Sequence, residues 1–395
     1  MVNDNQLPLS GIKVIEFAHM VMGPTVGVML ADLGADVIKV EPIKGDNTRR
    51  LVGSGAGYFP MYNRNKRSIC LDMKSIEGKR VARQLIDTAD IVVENFRPGA
   101  MDKLGFSYDE LKQTNSRLIY CSEKGFLSGP YEDRAALDEV AQMMGGLAYM
   151  TGPPGKPLRA GASVIDVMGG MFGAMAILAA LQERHRTGRG QYVKSSLYET
   201  SVYLAGQHMA QYAVTGVEAS PMPVRISAWA VYEVFETADN EAVFVGVVSD
   251  TQWVNFCRAF DLHDLEEHPD YALNADRVKR RDSLIPIIKA LFKKTNKKDL
   301  MTKLEIAGLP FAPIAKPVDL FDDPHLNAGD GLIEITLSDG SKTKLPALPI
   351  EMQGKRLTLY QDVPSIGEHT IEVLEGLGYD QASIALMTAN AVINS

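Results

Sequence analysis

At 395 residues the chain exceeds what one hydrophobic core usually serves, and its 46% apolar content is that of a folded globular protein, so two domains are expected. A formal charge of -8 offers none of the basic surface that nucleic acid requires, which leaves no nucleic-acid partner expected. Cys70, Cys121 and Cys257 lie far apart without metal-ligand spacing and read as reduced, buried thiols, with no metal site.

The N-terminal residues have neither a basic segment nor an apolar run, so a cytoplasmic location is expected. Residues 12–17 read as a strand, 24–33 as a helix opened by Pro24, and 37–41 as a second strand, with Gly34 as the helix stop. A helix over 78–89 and strands over 91–93 and 118–121 extend the alternation, which predicts a doubly wound, Rossmann-like α/β domain. No G-x-G-x-x-G follows the first strand, so a nicotinamide or flavin oxidoreductase lacks its fingerprint.

Residues 167–181 form the most apolar stretch. It falls short of the roughly 18–20 residues that span a bilayer. With Gly169, Gly170 and Gly173 to favour close packing, it reads as part of a buried core helix over 167–186, and no membrane partner is expected. The turn Thr187-Gly-Arg-Gly190 ends it, followed by a strand over 192–197 and a helix over 199–214. Asp166, just ahead of the helix, reads from local pattern alone as its N-cap.

The domain expectation is a first part of the large domain over 1–214, a linker over 215–228, a small α/β domain over 229–309, a linker over 310–323 and a final segment over 324–395. The small domain is expected to hold a hairpin, 231–235 and 242–248, and helices over 251–260, 281–293 and 298–307. Past it come a hairpin around Asp339-Gly340 and a helix over 369–377.

Several segments then stand in a telling order: Gly23-Pro24, Leu33-Gly-Ala-Asp-Val-Ile-Lys-Val-Glu-Pro42, Gly45-Asp46, Asn65-Lys-Arg-Ser68 and Leu71-Asp72. Val93-Glu-Asn-Phe-Arg-Pro-Gly99, Ala141-Gln142, Gly145-Gly146, Thr151-Gly152, Asp166, Thr187-Gly-Arg-Gly-Gln191 and Gly367-Glu-His-Thr370 follow. Together they resemble the class III CoA-transferase family, which includes formyl-CoA, carnitine-related and benzylsuccinate-type transferases and the α-methylacyl-CoA racemases. The resemblance implies two interlocked chains forming a homodimer, each with a large and a small domain joined by two linkers. It also implies that the C-terminal segment returns to the large domain.

Exchange of CoA between acids conserves the thioester's energy only if the enzyme's own nucleophile yields an activated acyl product, and a carboxylate does so. The resemblance makes Asp166 that nucleophile and places Asp138 as an acid close to it; a plain aspartate at a helix N-terminus is the other reading of Asp138. A carboxylate at a helix N-terminus is expected to stay ionised, and the nearby glycines to expose backbone N–H groups as an oxyanion hole. Coenzyme A is implied as substrate, with no permanently bound cofactor. Its family contacts map onto His19 and Met20, Leu71, Met73 and Lys74, and Asn95, Phe96 and Lys103, with Arg97 and Lys124 near enough to assist with charge.

The racemase branch uses a His-Asp pair where this chain has Leu137-Asp138, and leucine cannot act as a base. A racemase and a catalytically silent CoA-binding subunit are the alternatives to a transferase. The formyl-CoA:oxalate type carries glutamine and tryptophan where Val21 and Leu51 stand, and a glycine run that the segment 222–229 lacks. A larger acid is therefore expected, such as a substituted succinate or another dicarboxylate, with Arg225 as a partner for its free carboxylate.

Overall fold

The computed structural model describes residues 7–225 and 227–394. The chain divides into two compact units, one holding the residues up to Pro223 and those from Pro324 onward, the other Val224–Asp323.

In the first unit, β1 (Lys13–Phe17), α1 (Met22–Asp32) and β2 (Asp36–Glu41) make the opening βαβ element. Gly34, at φ +100°, is the left-handed residue just past the helix end. The alternation continues through α2 (Tyr58–Tyr62), β3 (Lys66–Leu71), α3 (Ile76–Asp87), β4 (Ile91–Glu94), α4 (Ala100–Leu104), α5 (Tyr108–Thr114) and β5 (Ile119–Lys124). Then come α6 (Asp138–Met144), α7 (Leu147–Thr151), the long α8 (Val164–Thr187), β6 (Tyr192–Ser196) and α9 (Leu197–Thr215).

The six strands run parallel in the order β3-β2-β1-β4-β5-β6, and Ile393–Asn394 adds an antiparallel edge beside β3. Successive strand residues point to opposite faces. Ile15, Phe17, Ile38, Ile69 and Val92 therefore join one core with α3, while Val14, Val37, Ile91, Val93 and Ile119 join a second with α1 and α8. Leu374, Ile384 and Met387, from helices Thr370–Gly376 and Gln381–Ala389, enter the first of these cores.

Between the cores runs a fully buried ionic chain. Lys66 donates to Glu16 at 2.7 Å, to the Pro24 carbonyl at 3.0 Å and to Asn63 at 3.1 Å, while Lys39 pairs with Glu16 at 3.2 Å and Asp46 at 3.1 Å. Burial pulls the Lys66 ammonium down to about 8 despite Glu16. Gly27 faces the same cluster, since a Cβ there would lie 1.7 Å from Glu16 Oε2. Glu41 holds Arg49 at 2.6 Å and Ser68 at 2.7 Å, and Ser68 in turn receives the Gly367 N–H at 3.0 Å. Motif pieces from both ends of the chain thus meet in one polar network.

Helix α8 departs from the expectation in length and in start. It has 24 residues and begins at Val164 with Ser163 as N-cap, so Asp166 lies inside its first turn and is not the cap. By length and composition it is apolar enough to cross a membrane. Nor is it buried all round: Gly169, Gly170, Gly173 and Ile177 face the core, but Met171, Met175 and Leu178 are exposed.

The second unit contains β7 (Val231–Glu236), β8 (Ala242–Val247) and β9 (Phe311–Pro313) in one antiparallel sheet. Helices Asp250–Ala259, Arg281–Phe292 and Lys297–Ile306 build its core around Trp253, Phe256, Leu284 and Phe292. Residues 310–323, expected as a linker, open with β9, because Phe311 continues the sheet by pairing with Val245.

Candidate active site

The build direction of the sheet reverses between β1 and β4, which opens a crevice at the carboxyl ends of those strands. There the His19 N–H donates to Asn95 Oδ1 at 3.0 Å and the Asn95 amide donates to the His19 carbonyl at 2.8 Å. The His19 and Phe96 rings stand 5.7 Å apart. Met20 is held at φ +65° with its N–H on Thr48 Oγ1 at 3.0 Å, a costly conformation for a side chain and one typical of ligand-facing loops. Burial lowers the His19 pKa, with Lys39 adding to the effect and Asp46 opposing it, so the ring is held toward its neutral form.

Four expected ligand residues, His19, Met20, Asn95 and Phe96, thus share one place. Leu71, Met73 and Lys74 stand at the carboxyl end of β3, on the same end of the sheet, but in different settings. Leu71 is a core side chain, Met73 packs partly against that core, and Lys74 is exposed. Arg97, exposed, and Lys124 line a separate cleft of about 800 Å³ with Tyr108, Tyr120 and Tyr192. Lys124 is already engaged by Glu94 at 2.8 Å and the Phe96 carbonyl at 2.7 Å. Lys103 is exposed on α4. Arg225 lies in the second unit.

The N-terminus of α8 reaches the same end of the sheet. Ile165 packs with Met22, Ala141 and Leu197, and a Cβ on Gly169 would meet Met22 Cε at 2.6 Å. A Cβ on Gly170 would meet the Met22 carbonyl at 2.6 Å. The glycines are helix-interior residues that let α8 lie against α1, so they are not the exposed oxyanion donors expected from the sequence.

Asp138 stands beside Asp166 and at the start of α6, in keeping with both readings of the sequence, and takes on a further task. Although it opens α6, its Oδ2 accepts the N–H groups of Ile165 at 2.9 Å and Asp166 at 3.1 Å, capping α8 from outside. Its Oδ1 takes the Gln142 amide at 2.5 Å, and Arg159 approaches at 3.5 Å while also bonding Glu139. Gln142 completes the frame by accepting the Ala160 N–H at 2.8 Å.

Asp166 itself is half-buried. Burial, then the charges of Asp138 and Glu139, push its carboxyl up to about 7, with Arg159 acting in the opposite sense. Burial, and the Asp138 charge held on the same terminal N–H groups, oppose the expectation that the helix terminus would keep this group ionised. Tyr62 feels the Asp166 charge, and Tyr58 meets Ser163, the N-cap of α8, with their oxygens 3.3 Å apart. Sequence reasoning missed the two tyrosines, Ser163 and Arg159, and gave Gln142 only as a motif position. The available signal was the four-residue spacing of the tyrosines, which puts both on one helix face.

The family described as CoA-transferase family III matches residues 9–370. The chain belongs to that family. It is a CoA-transferase, and its mixed α/β architecture around a large parallel sheet is that of the family. A succinate–glutarate CoA-transferase of Agrobacterium fabrum is 38% identical over 388 residues, covering 94% of this transferase and 96% of that protein. A formyl-CoA:oxalate CoA-transferase of Rhodopseudomonas palustris is 34% identical over 416 residues, covering 95% of each. Among solved structures, a CAIB/BAIF family protein from Brucella suis superposes with a TM-score of 0.82 at 33% identity, covering 94% of this chain and 100% of that one.

Proposed function

We propose that the transferase moves CoA between dicarboxylic acids through covalent intermediates on Asp166. The observation that carries this is a half-buried carboxylate in the first turn of α8, beside the switch-point crevice where His19, Met20, Asn95 and Phe96 gather. Asp166 adds to the donor thioester carbonyl and CoA thiolate leaves, giving a mixed anhydride. The thiolate then attacks the aspartyl carbonyl, releasing the donor acid and leaving CoA in thioester linkage to Asp166. The acceptor carboxylate attacks that carbonyl and expels the thiolate, which takes the new acyl group from the second anhydride and frees Asp166.

Succinate and glutarate are the acids we propose, on three grounds: the name of the bacterial relative, the apolar Val21 and Leu51, and the missing glycine run of the oxalate type. His19, Met20, Leu71, Met73, Lys74, Asn95, Phe96, Lys103, Arg97 and Lys124 remain the proposed CoA contacts. Leu137, exposed and without a titrating group, supports transfer over racemisation. We also propose that two copies assemble as a homodimer.

The test incubates purified enzyme with succinyl-, acetyl- and formyl-CoA against a panel of acids. Succinyl-CoA with glutarate should turn over fastest, and mass spectrometry should find CoA on the Asp166 peptide. Asp166→Asn should abolish transfer and leave CoA binding largely intact. Near-normal turnover by that variant would remove Asp166 from the mechanism, and α-deuterium exchange in a 2-methylacyl-CoA without transfer would favour the racemase.

A further inference from the structure

Addition of Asp166 to a thioester carbonyl moves an electron pair onto the carbonyl oxygen, and the developing anion needs a donor already in place. At a helix N-terminus the backbone N–H groups ordinarily serve. Here the two nearest the nucleophile, on Ile165 and Asp166, are held by Asp138 Oδ2. The cation that acts on Asp166 is Arg159, and it is spent on Asp138 and Glu139. Those two donors and that cation are thus already engaged.

Helix α2 supplies another donor. Phe59 anchors it in the interior beneath the Arg49 guanidinium, 3.6 Å from the ring centroid, and Asn63 closes it with a bond to the Phe59 carbonyl at 3.0 Å. Tyr58 reaches Ser163, the N-cap of α8, at 3.3 Å. Tyr62 lies four residues on, along the same face of α2, as Asp166 lies one turn on in α8. The Tyr58–Ser163 contact ties α2 to the start of α8, and the Asp166 charge reaches Tyr62 from there. Tyr62 is half-buried, and its hydroxyl has no hydrogen-bond partner among the described residues. Burial first, then the Asp166 charge, raises the phenol above its usual value, so it keeps its proton at neutral pH.

We propose that the Tyr62 hydroxyl is the hydrogen-bond donor to the oxyanion formed when Asp166 adds to the acyl-CoA carbonyl. The phenol donates without giving up its proton. The Asp166 oxygen-to-carbon bond forms, the carbonyl π pair moves to the oxygen that Tyr62 holds, and collapse of the adduct breaks the carbon–sulfur bond and releases CoA thiolate. The assignment rests on Asp166 being the nucleophile.

The test compares wild type with Tyr62→Phe and Tyr58→Phe, using succinyl-CoA and glutarate and following the Asp166 adduct by quenched mass spectrometry. Tyr62→Phe should lower kcat about a hundredfold, and the rate of adduct formation with it. Its KM for succinyl-CoA should stay within about twofold, a split that mere loosening of α2 would not produce. Tyr58→Phe, which keeps Tyr62, should lose less than about tenfold. A wild type that forms the adduct beside a Tyr62→Phe variant of unchanged rate, or a loss confined to KM, overturns the donor alone. A wild type that forms no adduct with any donor overturns the Asp166 reading and the donor together.

Discussion

Asp166 sits where its charged form is held at a cost, and the cost has a measurable shape. Only the carboxylate attacks, so kcat/KM should climb with pH through about 7 and fall tenfold per unit below it. Asp138→Asn removes the nearest like charge while keeping an acceptor for the α8 N–H groups, so it should move that profile to lower pH. An unmoved profile would mean that burial and Glu139 set the value without Asp138. Stability follows by linkage. An acid whose pKa is raised from 3.8 to about 7 on folding binds more protons folded than unfolded between those values. Its contribution is therefore present below the unfolded value and lost as pH rises to about 7. Asp166→Asn, inactive, should show a Tm advantage over wild type that grows from about pH 4 to 7 and then levels; melting curves that keep a constant gap would contradict the buried-charge account. This residue was legible only through the ordered motifs around it, since its local pattern says helix cap. Of the charges that adjust its pKa, Asp138, on a helix more than twenty positions upstream, was legible only through the resemblance, and Arg159, in a loop seven residues before it, is announced by no local spacing.

The elements that place Asp166 are α1 and α8, and their contact depends on residues with no side chain. A Cβ on Gly170 would lie 2.6 Å from the Met22 carbonyl and 2.7 Å from Thr25 Cβ, backbone and β-branched atoms that cannot swing aside. Gly170→Ala should therefore cost about 1–3 kcal/mol by overpacking and tilt the nucleophile's turn away from the β1 loop. Thermal unfolding should register the first effect and a drop in kcat the second; a variant as stable and active as wild type would show that α1 yields freely. Periodicity revealed β1, α1, β2 and β4 because most of their buried side chains are apolar. It missed β3 as a strand because Lys66 and Arg67 open it, and the charge that pairs with buried Lys66 is Glu16, fifty residues away. The two-residue edge at Ile393–Asn394 is too short to carry any period. Helix α8 was placed but started late, because Ser163 caps it without a side-chain bond and Asp166 is the stronger local signal.

At the scale of the molecule, the outward faces of α8 and α9 are what a single chain leaves unexplained. Met171 and Met175 on α8 and Tyr203, Met209 and Tyr212 on α9 are each about half exposed or more, a run of large apolar side chains beyond the scattered few that water tolerates. Tyr203 stands edge-on to Phe172 at 5.5 Å, which links the two helices into one surface. If a second copy covers this surface, light scattering should give twice the chain mass at micromolar concentration. Met175→Lys with Tyr212→Lys should then lower the proportion of that species, because each buried ammonium must be stripped of water without a partner. The proton balance at Asp166 depends on its burial, so the same double variant should shift the kcat/KM profile toward lower pH as the catalytic end of α8 becomes wetter. A monomeric wild type, or a double variant that stays dimeric with its pH profile in place, would assign these faces to some other contact and leave Asp166 desolvated by its own chain.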